Sequence, residues 1–115
     1  MNITYEMNLS NGPFNLIKLG KKTVEMRLNK KNRDKIEGGD YILFTNEQSE
    51  EKLKVLVISV SKFSSFEELY LAYDKEKLGY ALDEDASPND MLVYYTKADI
   101  KKYGVLAIEI ELAKI

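Results

Sequence analysis

The sequence predicts an α+β fold: a closed or nearly closed β-barrel of about five to six mostly antiparallel strands with short helical insertions. Three observations carry this. Short segments of alternating or continuous apolar character recur along the 115 residues. Serine- and threonine-capped helical patterns interrupt them. The regular strand-helix-strand alternation that builds a doubly wound sheet is missing. Without an internal repeat or a low-complexity linker, residues 1–115 read as a single domain large enough to bury a core.

Ile3, Tyr5, Met7 and Leu9 recur at period two and predict a first strand over residues 3–9. Ser10 or Asn11 caps a short helix with Pro13 in its first turn and Phe14, Ile17 and Lys18 at helical spacing, and Gly20 ends it. The next strand alternates, with Val24, Met26 and Leu28 facing a core and Thr23, Glu25 and Arg27 an opposite surface. Asn29 to Ile36 is highly charged and predicts a loop or a short helical turn, followed by a Gly38-Gly39-Asp40 turn.

Tyr41 to Phe44 is a brief strand, and Thr45 to Lys52 returns the chain as a hairpin loop. Leu53 to Val60 carries apolar residues on both parities, which predicts a central strand covered on both faces. Ser65-Phe66-Glu67-Glu68 is a capping-box pattern opening a helix with Phe66, Leu69, Tyr70 and Tyr73 available for packing. Glu76 to Asp85 is irregular. Ser87-Pro88-Asn89-Asp90 starts a further short helix, expected to carry Met91, Tyr94 and Tyr95, and Thr96 caps another turn through Lys101. Gly104 releases a last strand, Val105 to Leu112, with Leu106, Ile108, Ile110 and Leu112 inward and Glu109 and Glu111 outward.

Composition narrows the chemistry. The chain contains no cysteine and no histidine, so thiol nucleophiles, disulfides, imidazole bases and the commonest transition-metal ligands are excluded. Any catalysis falls to carboxylates, lysine, tyrosine, hydroxyls or backbone dipoles. No apolar run approaches a membrane span, and Met1-Asn2-Ile3-Thr4 lacks a signal peptide's order, so the expectation is a soluble, cytoplasmic protein with no membrane partner. Asp83-Glu84-Asp85 and Asp90 lack calcium-loop spacing, and Gly38-Gly39-Asp40 lacks the lysine of a phosphate loop; neither a metal nor a cofactor is expected.

The net charge of −2 hides an asymmetry. Between Lys18 and Lys35 stand eight basic residues and two acidic ones, whereas the remainder is acidic. A compact positive patch on an acidic body points to a restricted anionic ligand. Within it, Glu25 and Arg27 stand two apart on a strand face, able to present an acceptor and fixed donors to a polar ligand, with Lys21 and Lys22 arriving just before. Tyr94-Tyr95 offers an aromatic platform for a base. On pattern alone such residues more often form a solvated strand face and ordinary packing tyrosines.

The spacing glycine, any residue, lysine, two residues, glutamate, any residue, arginine stands here as Gly20, Lys22, Glu25 and Arg27. With the Phe14-to-Leu19 lead-in, Gly39-Asp40, Ser65 to Leu69, Tyr94-Tyr95 and Lys102 to Val105, the chain resembles small bacterial members of the ASCH domain family, related to the PUA-like RNA-binding barrels. The resemblance implies a PUA-like barrel with a cleft beside the signature strand that takes RNA, a nucleoside or a nucleotide. It implies that the signature residues Gly20, Lys22, Glu25 and Arg27 line that cleft, and Lys21, Thr23, Tyr94 and Tyr95 complete the expected ligand-binding set. Some single-domain relatives hydrolyse N(4)-acetylcytidine with a lysine, a threonine and a distant glutamate. Lys22 matches the lysine, Glu25 occupies the threonine's position, and the distant glutamate falls near Glu76. A small metal-independent amidohydrolase with Lys22 and Glu25 as its catalytic residues is therefore the alternative function.

Overall fold

In the computed structural model, which describes residues 2–114, the chain forms five strands and three α-helices, with two 3-10 helices between them, among the described residues. The strands are β1 (Thr4–Leu9), β2 (Val24–Leu28), β3 (Tyr41–Asn46), β4 (Lys52–Phe63) and β5 (Val105–Leu112). The α-helices are α1 (Asn11–Lys18), α2 (Phe66–Ala72) and α3 (Lys97–Tyr103). The 3-10 turns cover Lys31–Lys35 and Pro88–Val93. One curled sheet runs in the order β1-β3-β4-β5-β2, parallel between β1 and β3 and antiparallel elsewhere. The fold is an α+β half-barrel with β1 and β2 as its two edges, consistent with the PUA-like barrel expected from the sequence.

Each face of the sheet has its own core. Met7, Phe14, Ile17, Ile42, Phe44, Val55, Val57, Leu106, Ile108 and Ile110 pack on the inner face, with α1 as the plug. Val24, Met26, Leu28, Phe66, Leu69, Met91, Val105 and Ala107 pack on the outer face beneath α2. The strand covered on both sides is therefore β5, whose residues 105–108 are all buried. Near its end Leu112, opposite the buried Val55, keeps the inward parity but is 42% exposed.

The apolar residues on both parities of β4 have a different cause from the two-sided burial expected for it. A register shift between Val57 and Ser59 inserts an extra residue, so Val55 and Val57 face the inner core before the bulge and Val60 packs against it after. Ile58, at the bulge, is 46% exposed. The Gly38-Gly39-Asp40 turn docks there: Gly39 donates to the Val57 carbonyl, and Val57 donates to that of Asp40. A Cβ at Gly38 would lie 2.6 Å from the Ile58 carbonyl oxygen, an approach only glycine permits. Asp40 holds the turn with its carboxylate, accepting the Ile3 and Glu37 N–H groups at 3.0 Å each.

Local signals explain most helix starts. The Ser65 hydroxyl accepts from the Glu68 N–H, while the Glu68 carboxylate returns to Ser64. Ser87 and Asp90 form a reciprocal capping box, and Thr96 caps α3. α3 continues to Tyr103, beyond the expected Lys101. The helix after Ser87 is a 3-10 turn ending at Val93, so Tyr94 and Tyr95 follow it instead of lying on it. Among the described residues no helix is long and apolar enough to cross a membrane.

Candidate functional site

The polar parity of β2 does not face solvent. Glu25 pairs with Ile108 and Arg27 with Leu106 across the β2-β5 ladder, and directly opposed residues point to the same side. Since Leu106 and Ile108 belong to the inner core, Glu25 and Arg27 project to the inner face, where the barrel stays open between its edges. Their apolar neighbours Val24, Met26 and Leu28 anchor the strand from the other side. The alternation thus sets two interiors back to back.

Lys22, Glu25 and Arg27 form one buried charge cluster. Glu25 is 4% exposed and Lys22 6%. The Arg27 Nε and Nη2 each lie 2.8 Å from Glu25 Oε2, and Lys22 Nζ lies 3.5 Å from Oε1. Oε1 also accepts the Met26 N–H at 3.1 Å. Burial pushes the Glu25 carboxyl up, but Lys22, Arg27 and the Met26 N–H together outweigh it and hold the pKa below the ordinary carboxylate value. For Lys22 burial wins over Glu25, and its pKa is lowered.

Two backbone carbonyls complete the cluster. Lys22 Nζ donates to the Leu78 carbonyl at 3.0 Å, and Arg27 Nη2 donates to the Asn8 carbonyl on β1 at 2.9 Å. The segment Lys77-Leu78-Gly79 is in turn tied to the start of β2, because the Lys77 carbonyl accepts from Thr23 and Val24. Gly79 has φ of +108°, and a Cβ there would sit 3.3 Å from Lys22 Cδ, so glycine lets this strap close over the lysine stem.

Above the cluster opens a cleft of about 760 Å³. Its walls are β1, the start of α1, the strap through Tyr80, and the turn from Asp90 to Tyr95. Of the residues singled out from sequence, Lys22, Glu25, Arg27, Tyr94 and Tyr95 line it, whereas Gly20, Lys21 and Thr23 do not. Gly20 is exposed with φ of +77°, Lys21 is exposed, and Thr23 spends its backbone on Lys77 and Ile110. Glu76 is also outside the lining. Tyr95 packs one ring face against Phe66 at 6.1 Å, while Tyr94 is 58% exposed and is the freer platform. Burial pushes the Tyr95 hydroxyl up, with Arg27 opposing and Glu25 reinforcing the shift.

Sequence reasoning missed Arg33, Tyr80 and Asp90, all of which line the cleft. Tyr80 donates to Asp90 at 2.7 Å and shares a 2.8 Å hydroxyl contact with Tyr70, and burial together with these partners raises its pKa. A tyrosine ten residues before an aspartate in an irregular loop carries no periodic signal that could have paired them. Among the described residues no group of three or more acids stands together as a metal site.

The family model for the ASCH domain matches residues 7–114. Among solved structures, hypothetical protein PH0355 is 35% identical with a TM-score of 0.80, over 96% of this chain and 99% of that one. Protein PF0455 from Pyrococcus furiosus is also 35% identical, with a TM-score of 0.68 over 97% and 99% of the two chains. An ASCH domain from Lactobacillus crispatus, 12% identical, shares the fold with a TM-score of 0.66 over 96% of this chain and 79% of that one. Comparison with curated protein sequences gives no match.

Proposed function

The chain belongs to the ASCH domain family, and from that premise we propose that its cleft binds RNA or a modified nucleoside. One observation carries this reading: a buried carboxylate held ionised between a lysine and an arginine lies at the floor of a cleft whose wall presents an exposed tyrosine. That combination suits a flat, hydrogen-bonding heterocycle. Lys22 is 3.5 Å from Glu25 Oε1, beyond a strong hydrogen bond, so this oxygen retains capacity to accept from an exocyclic amine. The donors not used within the cluster, a third N–H on Lys22 Nζ and the Nη1 group of Arg27, are available to a base carbonyl, and Tyr94, with Tyr95 behind it, stacks on the ring. The test is ligand-observed NMR with a panel of nucleosides, including N(4)-acetylcytidine, and a short single-stranded RNA. Binding is expected for at least one class, and silence across the panel contradicts the proposal.

A second reading, a small amidohydrolase, draws support from Lys22. A buried amine with a lowered pKa gives up its proton more readily than an ordinary lysine. In that role Lys22 would deprotonate water attacking the amide of an acylated cytidine, releasing cytidine and acetate. Glu25 fits less well as the base, since its cationic neighbours favour the ionised form. Incubation with N(4)-acetylcytidine decides this: release of cytidine supports hydrolysis, and binding without product leaves the binding module.

A further inference from the structure

The cations of the cleft are not equivalent. Arg27 is committed, with Nε and Nη2 on Glu25 and Nη2 also on the Asn8 carbonyl. Lys22 is committed to Leu78 and Glu25. Arg33, on the 3-10 turn beyond β2, also lines the cleft, and among the described residues its guanidinium has neither an ion-pair partner nor a hydrogen-bond acceptor. It is half-buried and close enough to Arg27 for the two like charges to disfavour each other, after burial the main cause of its lowered pKa. An arginine remains charged in a protein regardless, so an unpaired, partly desolvated guanidinium lining the same cleft as a second one is a place for an anion.

The rest of the lining limits that anion. Glu6 and Glu47 stand on the β1 side, and Glu84 and Asp90 on the opposite side, where they accept from the Ala81 N–H and the Tyr80 hydroxyl. With Glu25 these acids outnumber the three cations of the cleft. A polyphosphate backbone laid along such a surface meets repulsion at most positions, whereas one anionic group at Arg33 does not.

The geometry points to a nucleoside monophosphate as the ligand class of the cleft, its base between Tyr94 and the Glu25 cluster and its single phosphate on Arg33. This rests on the nucleoside-binding reading above and assigns Arg33 as its specificity-determining residue. The bidentate guanidinium-phosphate contact distinguishes the nucleotide from the parent nucleoside.

The test is titration calorimetry of the intact protein with the four ribonucleosides, N(4)-acetylcytidine and the 5′-monophosphates of all five. At least one monophosphate is expected to bind about tenfold or more tightly than its nucleoside, the effect of a charge-assisted contact. Arg33→Gln is expected to erase that difference, and Arg33→Lys to retain part of it. Equal affinities for nucleoside and monophosphate, or a preference surviving in a folded Arg33→Gln protein, overturn the phosphate assignment alone. No binding by any of the ten probes overturns the nucleoside reading and this inference with it.

Discussion

Arg27 of β2 and Asn8 of β1 join the two unpaired edges of the half-barrel through a single side chain, Arg27 Nη2 lying 2.9 Å from the Asn8 carbonyl oxygen. The same nitrogen holds Glu25, so the closure of the barrel and the floor of the cleft are one structure. Arg27→Lys loses the fork that serves both partners. It is expected to destabilise the protein by about 3 kcal/mol, the lower end for breaking a buried pair. Urea denaturation reads the loss, and an unchanged midpoint would separate the clasp from stability.

Glu25→Gln removes the only anion of the buried cluster and leaves two cations facing each other. A loss of about 3–5 kcal/mol is expected. Adding Lys22→Met should recover part of it by removing one uncompensated charge, and a strictly additive double mutant speaks against the coupling.

The cluster also fixes how stability follows pH. Because the folded pKa of Glu25 lies below its unfolded value, the unfolded chain binds more protons between the two. Its contribution is complete above the unfolded glutamate pKa of about 4.3 and is lost as pH falls through the lower folded value. Lys22, whose folded pKa is lowered, adds stability as pH rises from that value toward about 10.4, the unfolded lysine pKa. Glu25→Gln should therefore flatten the acid limb of a denaturation series, and an acid slope identical to the parent's would place the titration elsewhere.

The bulge in β4 predicts opposite sensitivities at adjacent positions. Val57 is buried and Ile58 is 46% exposed. Val57→Ala should cost about 2 kcal/mol, and Ile58→Thr should stay within about 0.5 kcal/mol of the parent. Similar losses at both sites would restore a strand covered on both faces.

The contrast between β4 and β5 shows what the sequence conveys. Local signals transferred directly: Ser65, Ser87 and Thr96 cap their helices, and β2 alternates as its residues dictate. Hydrophobic parity did not separate a bulge from two-sided burial, since both place apolar residues on consecutive positions. At the site, Glu25 and Arg27 on β2 and Lys22 just before it were legible through the spacing of the family signature, not through charge pattern alone. The carbonyls of Asn8 and Leu78 were not, because any residue supplies one. Arg33 was hidden in a run of charges that looks like a solvated loop and folds as a 3-10 turn against the cleft.

The binding claim is tested most directly at Tyr94, whose 58% exposure lets it be changed with little effect on the fold. The measurement is nucleoside affinity of the parent and of Tyr94→Ala by ligand-observed NMR, with thermal melting as the control for folding. Loss of a stacking partner should cost about 1–3 kcal/mol of binding while the melting temperature holds. Equal affinity in the two proteins, or no nucleoside binding by the parent, would contradict a nucleoside cleft built on Tyr94 and the Glu25 cluster.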